Sequence, residues 1–167
     1  MEEWDAYTAD GKRTGQVLYR GRRIPGGLFH MVCEVLLRHS DGSYLCMKRD
    51  ENKPIHPGSW EISAGGSALK GEDALTCAKR ELREETGLAC PELHLISRTV
   101  WPENRCIFYS YWGVYDGPKD AVVLQEGETA DYRWITPEEF RRFVRTGEMI
   151  KNQRKRYAPY LEKILEE

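Results

Sequence analysis

Seven residues held at fixed distances, Gly66, Glu72, Arg80, Glu81, Glu84, Glu85 and Gly87, constrain this chain more than anything else in its sequence. They lie in GSALKGEDALTCAKRELREETGL, residues 66–88, and follow the pattern G-x5-E-x7-R-E-x-x-E-E-x-G. At roughly one in fifteen for each residue type, that coincidence arises by chance on the order of once in a million. The spacing predicts a loop running into a helix. Ala64-Gly65-Gly66 lacks bulk, which permits positive φ and the close approach of a ligand. Glu72 and Asp73 put negative charge at a helix start, where the macrodipole favours it. Residues 73–86 are good helix formers, and Gly87 stands where a C′ glycine ends such a helix. Leu75, Ala78 and Leu82 recur as a narrow apolar stripe.

The remaining face is acidic. Glu81, Glu84 and Glu85 are spaced i, i+3, i+4, so their carboxylates are neighbours. Each like-charged pair costs an isolated helix about 0.2–0.5 kcal/mol, and Arg80 offsets part of that through its i+4 partner Glu84. A hard divalent cation offsets far more. Oxygen-only ligands suit Mg2+ or Mn2+, and Mg2+ completes its shell with water and substrate phosphate oxygens. The pattern therefore points to metal-assisted chemistry on a phosphorylated small molecule.

The segment resembles the signature box of the Nudix hydrolases and matches each of its fixed positions. That resemblance implies an α/β fold, an α/β/α sandwich around a mixed β-sheet. It also implies a metal-dependent pyrophosphohydrolase, which cleaves a diphosphate linkage in a nucleoside diphosphate derivative (ADP-ribose-like or another nucleotide) by water attack on phosphorus. On the same ground Glu84 and Glu85 are the principal metal ligands, with Glu81 a further ligand or the partner of a metal-held water. Glu72 is an additional or supporting metal contact, and the backbone carbonyl near Gly65 a further ligand. Arg80 orients a glutamate. The base that activates water comes from Glu128, Glu126 or Glu81. Glu126 and Glu128 lie in the acidic loop before Trp134, and Glu128 is the favoured of the two.

Outside the box the chain resembles the isopentenyl diphosphate isomerase branch of the same family, in Trp4-Asp5, Thr14-Gly15, Leu28-Phe29-His30 and Pro57-Gly58-Ser59-Trp60. By that likeness Arg49 and Lys53 hold the substrate diphosphate, chemistry that a guanidinium and an ammonium both suit. The isomerase's catalytic positions are not kept. Its cysteine falls on Gly65, a histidine on Ser67, a metal-binding histidine on Arg23 and a second glutamate on Arg105. Alkene isomerisation needs an acid opposed by a base, and neither Gly65 nor Arg105 supplies one. His30 survives and reads first as a structural residue. A third reading is a binding module that kept the fold without catalysis, which the complete glutamate set opposes.

The rest of the chain predicts one domain spanning residues 1–167: a β-hairpin extension over 1–28, a core over 29–150 and a terminal helix over 151–167. Strands are expected at 29–38 and 44–49 around the turn Ser40-Asp41-Gly42-Ser43, at 93–101, 106–115 and 132–135. Thr136-Pro137-Glu138-Glu139 combines an N-cap, a proline at N1 and a capping-box glutamate, so a helix starts there. The terminal helix is expected to break or restart at Pro159. Trp101, Tyr109, Tyr111 and Trp112 either stack on a base or divide between core and surface. Five cysteines without a C-x-x-C pattern read as reduced thiols filling the core, and the chain as cytoplasmic. A net charge of −2 gives no reason to expect nucleic acid, no apolar run is long enough for a membrane, and a monomer and a homodimer both stay open.

Overall fold

The computed structural model describes residues 1–62 and 64–166. Ser63, and Glu167 at the end of the expected terminal helix, lie outside the described residues. In chain order the elements are β1 (Glu3–Tyr7), β2 (Arg13–Tyr19), β3 (His30–His39), β4 (Tyr44–Arg49), β5 (Trp60–Ile62), β6 (Ala64–Ser67), α1 (Ala74–Thr86), β7 (His94–Trp101), β8 (Cys106–Tyr115), β9 (Thr129–Ile135), α2 (Pro137–Arg145) and α3 (Lys151–Glu166). β1 and β2 pair as a hairpin of their own, and the other seven strands form one mixed sheet.

β3 is the axis of that sheet. Within it Met31–Leu37 is apolar except for Glu34, as the centre of a strand covered on both faces tends to be. It runs parallel to β8 along its whole length, from His30 beside Cys106 to His39 beside Tyr115. Its other edge is shared: residues 32–35 pair with β6, and Arg38 meets Tyr44 where the hairpin to β4 begins. β4 carries β5 and β9, and β8 carries β7. Strand alternation divides β3 between two cores. Cys33, Val35 and Leu37 join Cys77, Ala78 and Leu82 of α1, whereas Leu36 joins Phe140, Phe143, Tyr157 and Leu161 of α2 and α3. The result is the expected α/β/α sandwich. All five cysteines are free and buried in it. Among the described residues no helix is long and apolar enough to cross a membrane.

Two local expectations are corrected. Leu75 is 40% exposed, so the stripe that α1 buries is Cys77, Ala78 and Leu82, with Glu81 and Glu85 beside it. α3 continues through Pro159 without a break. Its buried residues Gln153, Tyr157, Leu161 and Ile164 fall on one face, and Pro159 lies outside that face at an exposed position. Packing of that face holds the helix despite the missing N–H, which costs an isolated helix about 3 kcal/mol. The capping box on α2 forms as read: Thr136 Oγ1 accepts from the Glu139 N–H at 3.1 Å, and Glu139 accepts from the Thr136 N–H at 2.7 Å.

The hairpin β1–β2 clasps the sheet through His30, whose ring stacks on Trp4 at 4.2 Å between centroids and lies 2.9 Å from Cys106 Sγ. Burial pushes the His30 pKa down from 6.5 to about 4. A depressed histidine leaves the unfolded chain binding the extra proton, so stability is complete above pH 6.5 and falls as pH drops toward 4. The ceiling on that loss is about 3 kcal/mol. Urea unfolding of the parent and of His30→Phe across that window is expected to show the component in the parent alone; parallel pH profiles would refute it.

Candidate active site

The box folds as strand, turn and helix. Ala64–Ser67 is strand β6, not the loop expected from its glycines, and neither Gly65 nor Gly66 has positive φ. What the glycines provide is space. A Cβ on Gly65 would stand 2.9 Å from the Cys33 carbonyl oxygen, and one on Gly66 would stand 2.4 Å from the Glu81 carboxyl carbon. Asp73 caps α1 by accepting from the Thr76 N–H at 2.7 Å, and Gly87 ends the helix at φ 73°. Gly66→Ala is therefore expected to displace the Glu81 carboxylate and lower turnover about tenfold or more while the fold persists. Steady-state kinetics beside a thermal melt reads both effects, and an active, unaltered variant would contradict them.

Arg80 organises the acidic face. Its Nε donates to Glu72 Oε1 at 2.6 Å and its Nη2 to Glu72 Oε2 at 3.0 Å, a bidentate grip. Nη1 donates to Glu81 at 2.7 Å and to Glu84 at 3.1 Å, and Nη2 reaches the Ser67 carbonyl at 3.0 Å. Burial works to raise the Glu72 pKa, but the Arg80 bonds and the Leu69 N–H prevail and hold it below its ordinary value. Burial dominates for Glu81 and raises it. Glu85 is raised furthest, first by burial and then by the nearby charges of Glu61 and Glu81, although its carboxylate accepts from the Gly65 N–H at 3.2 Å.

Glu81, Glu84, Glu85 and Glu128 line one cavity of about 270 Å³, together with Lys53, Arg80 and Gly65. Glu72 and Glu126 do not line it. Lys53 forms an ion pair with Glu128 there, so the loop before β9 is tied to the loop after β4. A second cavity of about 370 Å³ shares Lys53 and Gly65–Ser67 with the first and extends toward α3. Arg49 faces this second cavity. Its Nη1 donates to Glu61 at 3.2 Å and its Nε to the Ile55 carbonyl at 2.9 Å, so it reaches a phosphate only by leaving those partners.

The donor set fits a hard cation. It is all oxygen, partly buried, and Glu85 is held among like charges that a positive partner would relieve. Among the described residues, however, no three His, Cys, Asp or Glu side chains already converge on a point that holds a metal. Arg80 draws Glu81 and Glu84 to itself instead, so cation binding requires those carboxylates to turn.

Sequence reasoning missed Glu61, Glu34 and Arg156. Glu61, on the three-residue strand β5, faces Arg49, and burial raises its pKa. Glu34 on β3 accepts from Arg156 Nε at 2.6 Å, from Arg156 Nη2 at 2.9 Å and from Ser110 Oγ at 2.6 Å. The one signal for Glu34 was a carboxylate inside an apolar strand, which must find a partner.

A family model described as the NUDIX domain matches residues 29–161. The chain belongs to the Nudix hydrolase family. An uncharacterized Nudix hydrolase of Listeria monocytogenes is 34% identical over 151 residues, covering 90% of this chain and 89% of the relative. A crystal structure from Deinococcus radiodurans superposes with a TM-score of 0.69 at 20% identity, over 98% of this chain and 97% of that one. The NUDIX domain of Shewanella oneidensis NrtR, solved as a complex with ADP ribose, superposes with a TM-score of 0.64 at 14% identity, covering 87% and 94%. These two likenesses establish the fold. As a Nudix hydrolase the protein belongs to a family that generally uses divalent metal ions and acts on small molecules.

Proposed function

We propose that this Nudix hydrolase cleaves the diphosphate linkage of a nucleoside diphosphate derivative in the cavity between α1, β6 and the loop before β9. The observation that carries this reading is the meeting in one cavity of three α1 glutamates, Glu128 from a distant loop, and a glycine strand that adjoins a second, larger cavity. Glu84 and Glu85 would hold Mg2+ or Mn2+, with Glu81 and the Gly65 carbonyl completing the protein ligands. When bound, the cation neutralises phosphate charge and lowers the pKa of water. The chain's own groups do the rest. Gly65 and Gly66 line both cavities, where the diphosphate would lie beside the glutamates, and the missing side chain of Gly66 leaves room for the Glu81 carboxylate. Lys53, standing between the cavities, supplies positive charge to it. Glu128 accepts the proton of the attacking water once Lys53 moves from it to the substrate. Arg80, itself gripped by Glu72, acts as a positioning residue that keeps Glu81 and Glu84 beside the cavity until they turn to the cation.

The test is release of product from a library of nucleoside diphosphate derivatives, ADP-ribose and nucleotide sugars among them, with Mg2+, with Mn2+ and with chelator. Turnover is expected with either metal and is expected to vanish with chelator. Turnover that survives complete chelation would overturn the assignment of the glutamates.

A further inference from the structure

We propose that the 370 Å³ cavity beside the glutamates is a recognition site for an uncharged group bearing paired hydrogen-bond donors and acceptors, read by the carboxamides of Asn104 and Asn152. The inference rests on the reading that a diphosphate lies across the wall shared by the two cavities. It concerns what the substrate carries beyond that diphosphate.

Charge on the walls disfavours a phosphate beyond the wall shared by the two cavities. Three permanent cations face the cavity, and each is already matched. Arg49 pairs with Glu61 at 3.2 Å, Arg156 with Glu34 at 2.6 Å, and Lys53 with Glu128. Moving Lys53 onto a diphosphate at the shared wall leaves no permanent cation over for a further phosphate, because the other two are held by largely buried carboxylates and the remaining basic group is the exposed imidazole of His56. A group seated there is therefore neutral.

The polar groups left over define what that neutral group must offer. Gln153 lines the cavity, but its carboxamide is consumed by Ile62, accepting from its N–H at 3.1 Å and donating to its carbonyl at 3.4 Å. Asn104 sits in the turn between β7 and β8, and Asn152 in the first turn of α3. Neither side chain has a hydrogen-bond partner among the described residues, and both line the cavity. A carboxamide presents a donor and an acceptor side by side, so it matches a nucleobase edge or neighbouring sugar hydroxyls. A third surface is flat. The Arg156 guanidinium lies 4.0 Å over the Phe108 ring and is locked there by Glu34, giving a rigid planar wall on which a ring can stack. A purely aliphatic group such as a prenyl chain would displace water from the half-buried Asn152 and the exposed Asn104 without replacing its hydrogen bonds, and so fits the cavity poorly.

Ligand-observed NMR on the full chain tests this without metal or turnover. The probes are the four common nucleosides, free glucose and ribose, and dimethylallyl alcohol. At least one nucleoside or sugar is expected to bind, dimethylallyl alcohol is not, and Asn104→Leu and Asn152→Leu are each expected to weaken binding about tenfold. Nucleoside binding identifies a base edge as the ligand, and sugar binding identifies hydroxyls. In the enzyme assay the same variants are expected to raise KM for the preferred substrate about tenfold, with kcat changed far less. Binding of the alcohol in preference to every polar probe, failure of every polar probe to bind, or binding indifferent to both substitutions would each overturn the proposal. Polar binding that depends on Asn104 and Asn152 in a protein without hydrolytic activity would sustain it while removing the catalytic reading. Thermal melts of both variants confirm that the fold is retained.

Discussion

Glu85→Gln is expected to reduce metal-dependent turnover on the order of a hundredfold or more and to leave the metal-free protein at least as stable as its parent. The two effects have one cause. Glu85 is buried and lies near Glu61 and Glu81, so its charged form is disfavoured in the folded state. Removing that charge relieves the crowding, and the glutamine oxygen still accepts from the Gly65 N–H. The sign follows from the raised pKa: an acid with a folded pKa above its unfolded value of 4.5 contributes stability at low pH and loses it as pH rises through the folded value. A glutamine has no such loss. Metal reverses the comparison. At a hundred times its dissociation constant, Mg2+ would stabilise the parent by about 2.7 kcal/mol. That raises the melting temperature of a 167-residue chain by roughly 5–10 °C, and the variant gains little of it. Glu84→Gln should match it in turnover, but not in metal-free stability, since Glu84 is more exposed and paired with Arg80. Parental turnover in either variant would sink the assignment.

The largest loss of stability is expected at Glu34→Ala. Arg156 is only 10% exposed and Glu34 6%, and the pair fastens α3 to the centre of the sheet. Deleting the carboxylate leaves a guanidinium buried without its partner, which typically costs about 3–5 kcal/mol. For a domain of this size that lowers the melting temperature by roughly 10 °C or more. Replacing both residues, as in Glu34→Leu with Arg156→Met, is expected to restore most of the loss, because a buried pair is worth far less than the harm of breaking it. Calorimetry on the single and double variants decides the matter. A double variant no more stable than Glu34→Ala would show that packing, rather than unpaired charge, carries the effect.

Features written in local chemistry were legible in the sequence. The Ser40–Ser43 turn, the Thr136 capping box and the Asp73 to Gly87 helix each depend on residues within a few positions of one another. The glutamates of the box belong to the same class. β6 escaped notice because Ala-Gly-Gly-Ser has no strand propensity; it is a strand because β3 offers it an open edge and only small residues fit between that edge and Glu81. The same distance argument explains Glu34 and Arg156, which lie 122 positions apart and meet only through the sheet. Glu128 lay in a loop that the sequence could nominate but not aim. Its place beside Lys53 comes from the pairing of β4 with β9. Leu75 was misplaced because Glu81 and Glu85, not a third aliphatic residue, occupy the inward face of α1.

The N-terminal hairpin is tied to the turn that opens the acidic helix. The family match begins at residue 29, yet the turn carrying Glu72 is tied to residues before it. Arg13 donates to the Glu72 carbonyl at 2.8 Å, the Gly71 N–H donates to Asp5 at 2.8 Å, and the Lys70 N–H donates to the Glu3 carbonyl at 2.9 Å. A chain begun at residue 29 would keep every glutamate of the box while cutting three tethers on the turn that presents Glu72 to Arg80. The first strands thus serve as a splint on the turn that leads into the acidic helix, and a change in them reaches Glu72 and Arg80 through that turn rather than through the box itself.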